Sequence, residues 1–297
     1  MVKNYKFEWE FLDNCQICGN DTSIPNGKIE YLKQDFWYVV CTNCNTKYMN
    51  PRPTKDSYDD FYKNFFWEEV FSNDRFRIKG QIWNYESKGL EKIYKWDEDD
   101  KIRETEAGMK LMKEKLERLR IEKIDKILND NLNFSSKIKI LEVGSGIGTT
   151  LNFLNKKYNC EVDAIEPSLA ACKFMEKNTN INIIANYAEE LSNISTLDQR
   201  SYDCIMFVHS LENTLNPVKN ILDAGQILKN GGFIYVQCSN LFTFDQMNPY
   251  HPYIFALKSF KTIAKFSKLE FDYIRSGTGR MLHIILRKIE HSKKINE

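Results

Sequence analysis

Beyond residue 136 the chain alternates short apolar runs with longer stretches of helical periodicity. The runs at 138–143, 161–165, 181–184, 204–208 and 233–237 are nearly continuous in apolar character, as strands buried on both faces are. Strands separated by helix-length segments imply a mainly parallel sheet with helices on each side, an α/β, Rossmann-like, doubly wound architecture. Two further runs, 269–274 and 281–286, are joined by a short turn carrying Gly277 and Gly279. A parallel crossover needs about a dozen residues or more, so this pair is expected as a terminal antiparallel hairpin.

Upstream the texture differs. Residues 54–135 are crowded with charges and aromatics and contain no proline and only three glycines. Within them Leu116, Leu119, Ile124, Ile127 and Leu128 recur at spacings that predict an amphipathic helix with one buried face. Residues 1–53 are turn-rich and Cys-bearing, and end in Pro51, Arg52 and Pro53. Three units are expected: a small ribbon at 1–53, a helical linker or lid at 54–135, and an enzyme-sized α/β domain at 136–297.

The cysteines of the first unit bring chemistry in. Cys15 and Cys18 form one C-x2-C knuckle, and Cys41 and Cys44 form a second after 22 intervening residues. Two such knuckles can set four thiolates at the corners of a tetrahedron, and Gly19 follows the first where a tight turn is useful. The spacing predicts a structural Zn2+ with no open position for substrate. Its binding would do folding work that a segment of about 50 residues cannot do with a core alone. Cys160, Cys172, Cys204 and Cys238 fall in or beside predicted strands and helices and read as small buried hydrophobes.

Charge narrows the range of partners. Lys and Arg number 42 against 41 Asp and Glu in 297 residues, so no basic field holds a polyphosphate backbone and no nucleic-acid partner is expected. An apolar fraction of 42%, with 19 Phe, 15 Tyr and 5 Trp, excludes a wholly disordered chain. The opening residues lack the apolar run of a secretory signal, and no stretch is long and apolar enough to span a bilayer. A cytoplasmic protein with reduced cysteines and no membrane insertion is the expectation.

The first strand of the sheet runs into Glu142, Val143, Gly144, Ser145, Gly146, Ile147, Gly148, and a helical pattern follows. Glycines here allow a sharp turn and a close approach of ligand to backbone at the carboxyl edge of the sheet. Glu166, at the end of the second strand and 22 residues after Gly144, stands where a carboxylate can accept hydrogen bonds from both ribose hydroxyls of an adenosine. The glycine register is G-x-G-x-G, not the G-x-G-x-x-G of dinucleotide sites, which counts against NAD. A glutamate two residues before the glycines suits a ligand with an amino group better than a pyrophosphate.

Residues 136–287 resemble a class I S-adenosylmethionine-dependent methyltransferase. E-V-G-S-G-I-G resembles the family's first motif, and the acid of A-I-E-P its ribose-binding position. A-N-Y-A-E-E-L resembles the segment flanking the adenine, Y-D-C-I-M-F-V-H-S-L-E-N the fourth-strand motif, and K-N-G-G-F-I-Y-V the turn into the fifth strand. The paired knuckles followed by Y-M-N-P-R-P are similar to bacterial sugar and surface-polysaccharide methyltransferases that carry a small zinc-binding domain in front. Carried over, the resemblance implies S-adenosylmethionine held by Glu142, Gly144, Ser145, Gly146, Gly148, Glu166, Pro167, Ala188, Glu189 and His209. The family often has H-x-L-E-H after the fourth strand; here the second histidine is Asn213, so any proton transfer by it is lost. Such sugar C-methyltransferases usually carry a further large C-terminal domain; this chain stops at Glu297, which lowers the expectation of carbon methylation.

Methyl transfer to a hydroxyl needs a group that accepts its proton. His209 at the end of the fourth strand is the first candidate, with Glu212 to orient it; His251, in N-P-Y-H-P-Y, is the second. Tyr250, Tyr253 and Phe255 either stack on a sugar face or cover the sheet. Phe65, Phe66, Trp67, Trp83, Tyr85 and Trp96 read as glue between the units or as an acceptor wall, and Arg75 and Arg77 as a solvated face or a phosphate site. The expected activity is O-methylation of a sugar or nucleotide-linked precursor of a bacterial surface glycan. The rivals are N- or C-methylation of a sugar, methylation of another small metabolite, and an RNA-binding methyltransferase or zinc-ribbon adaptor.

Overall fold

The computed structural model describes residues 5–65, 106–197, 201–243, 247, 249–274 and 279–289, with the backbone alone at 106–116 and 195–197. The N-terminal part contains β1 (Trp9–Glu10), β2 (Ser23–Tyr31), β3 (Gln34–Cys41), β4 (Lys47–Met49) and β5 (Arg52–Pro53). β2 and β3 form a hairpin closed by Leu32 and Lys33, both with positive φ, as a two-residue turn between twisted strands requires. Helix α1 (Lys55–Asn64) follows, and then α2 (Glu106–Asn131).

The second half is built from β6 (Lys139–Val143), α3 (Thr149–Tyr158), β7 (Glu161–Ile165), α4 (Leu169–Asn178), β8 (Asn182–Ala185), α5 (Leu191–Leu197), β9 (Tyr202–Val208), α6 (Pro217–Gln226) and β10 (Leu228–Ser239). It ends with β11 (Tyr253–Ile254), α7 (Leu257–Ser267), β12 (Glu270–Tyr273) and β13 (Met281–Arg287). Seven strands form one sheet in the order β12-β13-β10-β9-β6-β7-β8. The pairings from β10 through β9, β6 and β7 to β8 are parallel, whereas β13 is antiparallel to both β10 and β12. This is the expected Rossmann-like sheet with its terminal hairpin; of the hairpin's turn, Gly277 lies outside the described residues.

Strand alternation divides the interior in two. Leu141, Val143, Ile205, Phe207, Ile234 and Val236 face α6 and α7, while Ile140, Val162, Cys204, Met206, Phe233 and Ile285 face α2, α3 and α4. On α2 the buried face is Ile121, Ile124, Ile127 and Leu128. Leu119, expected on that face, is 49% exposed, because the helix presents its 121/124/128 stripe to the sheet. The side chain of Leu116 lies outside the described residues.

The cysteine-bearing part and the seven-stranded sheet share their packing. β11, which follows β10 in the chain, adds to the N-terminal sheet, pairing Tyr253 with Tyr48 and Ile254 with Lys47 to give the order β11-β4-β3-β2. Buried Arg52 donates to Glu10 at 2.7 Å, to the Leu215 carbonyl at 2.7 Å and to the Tyr253 hydroxyl at 3.1 Å. Among the described residues no helix is long and apolar enough to cross a membrane.

Candidate active site and cysteine cluster

The carboxyl edge of the sheet opens into a cleft of about 400 Å³ whose floor is the turn after β6. Gly144 and Gly148 both have φ of +75°. A Cβ at Gly144 would lie 2.5 Å from Cβ of Ser210, and one at Gly148 would lie 2.4 Å from Cδ1 of Ile181. Backbone angle and space therefore both exclude a side chain. Ser145, Gly146 and the N-terminus of α3 complete this floor.

Glu166 ends β7 beside it. Its carboxylate accepts the Gly146 N–H at 2.7 Å and the Ser168 N–H at 2.9 Å, which locks the turn to the second strand. A carboxylate has about four lone-pair sites, enough for these donors and for further ones from the cleft that Glu166 lines with Pro167. Farther along, the Glu190 carboxylate accepts from the N–H groups of Asn186 at 3.0 Å and Tyr187 at 2.8 Å, shaping the turn that puts Ala188 and Glu189 on the cleft wall.

Glu142 points toward α2. It is buried, its Oε2 has no hydrogen-bond partner, and burial pushes its carboxyl up to about 8 against the pull of Arg120. Arg120 donates to Glu117 at 3.3 Å, while its buried Nε is unpartnered. Acid and guanidinium line the same cleft. Two orphaned polar atoms of opposite character in an enclosed site fit a zwitterionic amino-acid end, such as S-adenosylmethionine carries.

His209, just past β9, adopts φ +53°, a region bulky residues avoid and which costs about 1–3 kcal/mol. Its own N–H donates to the Gln237 carbonyl at 2.8 Å. The ring's Nδ1 lies 3.3 Å from Glu212 Oε1, and its Nε2 lies 3.4 Å from the amide nitrogen of Gln237. The donor and acceptor roles of the two ring nitrogens toward these partners follow the ring's tautomer. Glu212 is buried behind the histidine and does not line the cleft, whereas Asn213 does, and its side-chain amide donates to the His209 carbonyl at 3.1 Å.

His251 is not brought to this site. It is buried outside the residues lining the cleft, with its carbonyl accepting from the Tyr38 hydroxyl at 3.0 Å. Its segment is drawn into the N-terminal sheet through β11, so the loop expected at an acceptor mouth is a joint. Tyr250, Tyr253 and Phe255 are buried in the same joint; the Tyr250 hydroxyl donates to that of Tyr31 at 2.8 Å, and the Tyr253 hydroxyl to the Leu215 carbonyl at 3.0 Å.

The sequence led to the expectation of a helical linker or lid at 54–135 without naming the residues that roof the cleft. α1 supplies Tyr58, Asp59 and Tyr62, and α2 supplies Glu117 and Arg120. Hydroxyls of Tyr58 and Tyr62 both donate to the Tyr250 carbonyl, at 2.7 and 3.1 Å, which fixes α1 over the site. The tyrosines recur at helical spacing, but nothing local in the sequence says what that face covers. Phe65 packs 4.9 Å from Tyr5, as glue. Phe66, Trp67, Trp83, Tyr85, Trp96, Arg75 and Arg77 lie outside the described residues.

The four ribbon cysteines meet. Sγ atoms of Cys15 and Cys44 are 3.6 Å apart, those of Cys18 and Cys41 3.5 Å, and all four lie within 4.8 Å of one another. These gaps are too long for disulfides and close to the edge of about 3.8 Å that a tetrahedron with Zn–S near 2.3 Å requires. The two knuckles share one geometry. Gly19 (φ +73°) returns its N–H to the Cys15 carbonyl at 2.8 Å, and Asn45 (φ +60°) returns its own to Cys41 at 3.1 Å. The Cys15 thiol against it draws Cys44 below the usual thiol range. Burial instead raises Cys160 and Cys172 to about 11, as inert core thiols.

Strand order and a glycine floor flanked by a β7 carboxylate together define a class I methyltransferase fold. Residues 112–269, just over half of the chain, match the model of the methyltransferase domain family, and the chain belongs to that family as an S-adenosylmethionine-dependent enzyme. No curated protein matches it by sequence. Solved structures with a similar fold include a SAM-dependent methyltransferase from Archaeoglobus fulgidus, 15% identical, covering 58% of this chain and 94% of that one with a TM-score of 0.48. An O-methyltransferase family protein from Burkholderia thailandensis is 13% identical over 65% of this chain, TM-score 0.46, and only 63% of its own length is spanned. The plantazolicin methyltransferase BpumL, solved with S-adenosylhomocysteine, is 17% identical over 52% and 77% of the two chains, TM-score 0.44.

Proposed function

We propose that the protein methylates an oxygen of a sugar acceptor destined for a bacterial surface glycan, such as capsule or lipooligosaccharide, in the cytoplasm. The observation that carries the catalytic part is the convergence of Glu166, the glycine floor and His209, backed by Glu212, on one cleft. The glycan acceptor is supported by the likeness of the paired knuckles and residues 48–53 to sugar methyltransferases.

In this reading Glu166 with Pro167 takes the ribose and Ala188 with Glu189 flanks the adenine. Gly144, Ser145, Gly146 and Gly148 let the backbone approach, and Glu142 with Arg120 holds the amino-acid end. Bound there, S-adenosylmethionine supplies an electrophilic methyl carbon. The chain's part is to hold the acceptor in line, exclude water under α1 and α2, and take up the hydroxyl proton at the His209 ring. Glu212 acts through His209, orienting the ring. The four ribbon thiolates would hold a structural Zn2+, a setting that suits reduced cysteines.

The cleft's charge favours a second reading of the acceptor. Its described lining carries Asp59, Glu117, Glu166 and Glu189, besides the proton-holding Glu142, against one arginine, Arg120, already bonded to Glu117. That is a poor host for a diphosphate and a better one for a free sugar, including the nitrogen of an amino sugar. Transfer of labelled methyl to D-glucose, D-glucosamine and UDP-glucosamine compares these directly; labelling of the UDP-sugar alone contradicts the charge argument. The donor site is tested by calorimetry. Arg120→Ala should weaken S-adenosylhomocysteine about tenfold while leaving methylthioadenosine, which lacks the amino-acid end, within about twofold. Equal loss for both ligands removes Arg120 from that role.

A further inference from the structure

Helix α1 brings a carboxylate to the cleft beside the wall at 187–189. Asp59 and Tyr187 both line the cleft, and Lys55, one helical turn before Asp59, joins the two. Its ammonium bonds to Asp59 Oδ2 and lies 5.3 Å from the centre of the Tyr187 ring, where it also feels the charge of Glu189. Asp59 is largely covered, and burial lifts its carboxyl while Lys55 opposes the shift. Among the described contacts its one hydrogen bond is to Lys55 through Oδ2, so Oδ1 is an acceptor still without a donor.

The wall itself has no acceptor held in this way. Glu190 spends its carboxylate on the N–H groups of Asn186 and Tyr187, whereas Glu189 is joined through its carbonyl, which accepts from the Ser192 hydroxyl at 3.1 Å. A purine flanked by Ala188 and Glu189 carries an exocyclic amino group, and enclosing its hydrogens without a partner is costly. An ionised acid only accepts, so it takes an amino group and turns away a carbonyl at the same place. Pinned by Lys55, Asp59 offers this oxygen without a free side chain having to be ordered on binding.

We propose that Asp59 is a specificity-determining residue for the donor, its carboxylate accepting a hydrogen bond from the exocyclic amino group of the adenine. This rests on the reading of Ala188 and Glu189 as the flank of the base. Helix α1 lies outside residues 112–269, so the base is read by an element that follows the cysteine-bearing ribbon and precedes the methyltransferase domain.

The test is a double-mutant cycle between protein and ligand, run by calorimetry on the full-length chain. The ligands are S-adenosylhomocysteine and its analogue with unsubstituted purine, which lacks the amino group, in place of adenine. Wild type should bind S-adenosylhomocysteine about tenfold or more tightly than the analogue, and in Asp59→Ala the two should bind within about twofold of each other. Alanine suits this partly exposed helical position, so a lost fold does not stand in for the result. Glu189→Ala should act on both ligands equally and keep the wild-type ratio. An unchanged ratio in Asp59→Ala, a ratio lost in Glu189→Ala instead, or no discrimination by wild type overturns the proposal. Ala188→Leu, which crowds the wall, should weaken both ligands together. If it weakens neither and melts as wild type does, the base lies elsewhere and the reading of the wall falls with the proposal. If it weakens both while Asp59→Ala keeps the ratio, Asp59 alone loses its role.

Discussion

Among single residues Glu142 carries the sharpest physical consequence. Unfolded, its carboxyl ionises near 4.5; folded, burial holds its proton to about 8. Between those pH values the folded state binds more protons, so this group's contribution to stability falls as pH rises through that window. Glu142→Gln should therefore melt higher than wild type at pH 8, by about 1–3 kcal/mol, and show little difference at pH 4, as thermal unfolding at the two pH values can check. An ammonium placed beside Glu142 favours its charged form. S-adenosylhomocysteine binding should then release close to one proton at neutral pH, seen by calorimetry in buffers of different ionisation enthalpy, and that release should vanish in Glu142→Gln. The spacing of Glu142, the glycines and Glu166 was legible in the sequence, since a turn and the strand ends beside it are local. Arg120 was not, because its partner in charge is distant in sequence.

The elements explain why some expectations failed. The strands were readable because each is a buried run, and β9 and β10 begin earlier than their apolar cores only because Tyr202 and Leu228 extend the pairing. His251 was misplaced because the segment after β10 carries a strand, β11, whose partner β4 lies about 200 residues upstream. A two-residue strand leaves almost no periodic signal. The same junction holds α1 over the cleft through Tyr58 and Tyr62. Removing the Arg52 guanidinium, which ties β5 to Leu215 and Tyr253, should cost about 1.5–3 kcal/mol in a denaturant titration. In the β6–α3 turn, Gly144→Ala meets Ser210 at 2.5 Å in a left-handed backbone. A loss of about 1–3 kcal/mol of stability and weaker S-adenosylhomocysteine binding are expected; unchanged values would mean the turn relaxes freely.

Across the whole molecule, the cysteine cluster and the methyltransferase sheet are packed into one body. Cys15, Cys41 and Cys44 share a core with Phe255 and Phe260, and Thr46 donates to Ser259 on α7 at 2.8 Å. If the cluster holds zinc, stripping it with a chelator should loosen β4 and β11 and weaken S-adenosylhomocysteine binding, though no cysteine touches the cleft. Metal analysis finding no zinc, or unchanged affinity after stripping, would contradict that coupling. The most direct test concerns the donor site itself. Calorimetry should find S-adenosylhomocysteine bound by wild type and weakened about tenfold or more in both Glu166→Ala and Glu166→Gln, the second of which keeps an acceptor for the turn. No binding by wild type at millimolar ligand, or equal affinity in all three proteins, would contradict the account.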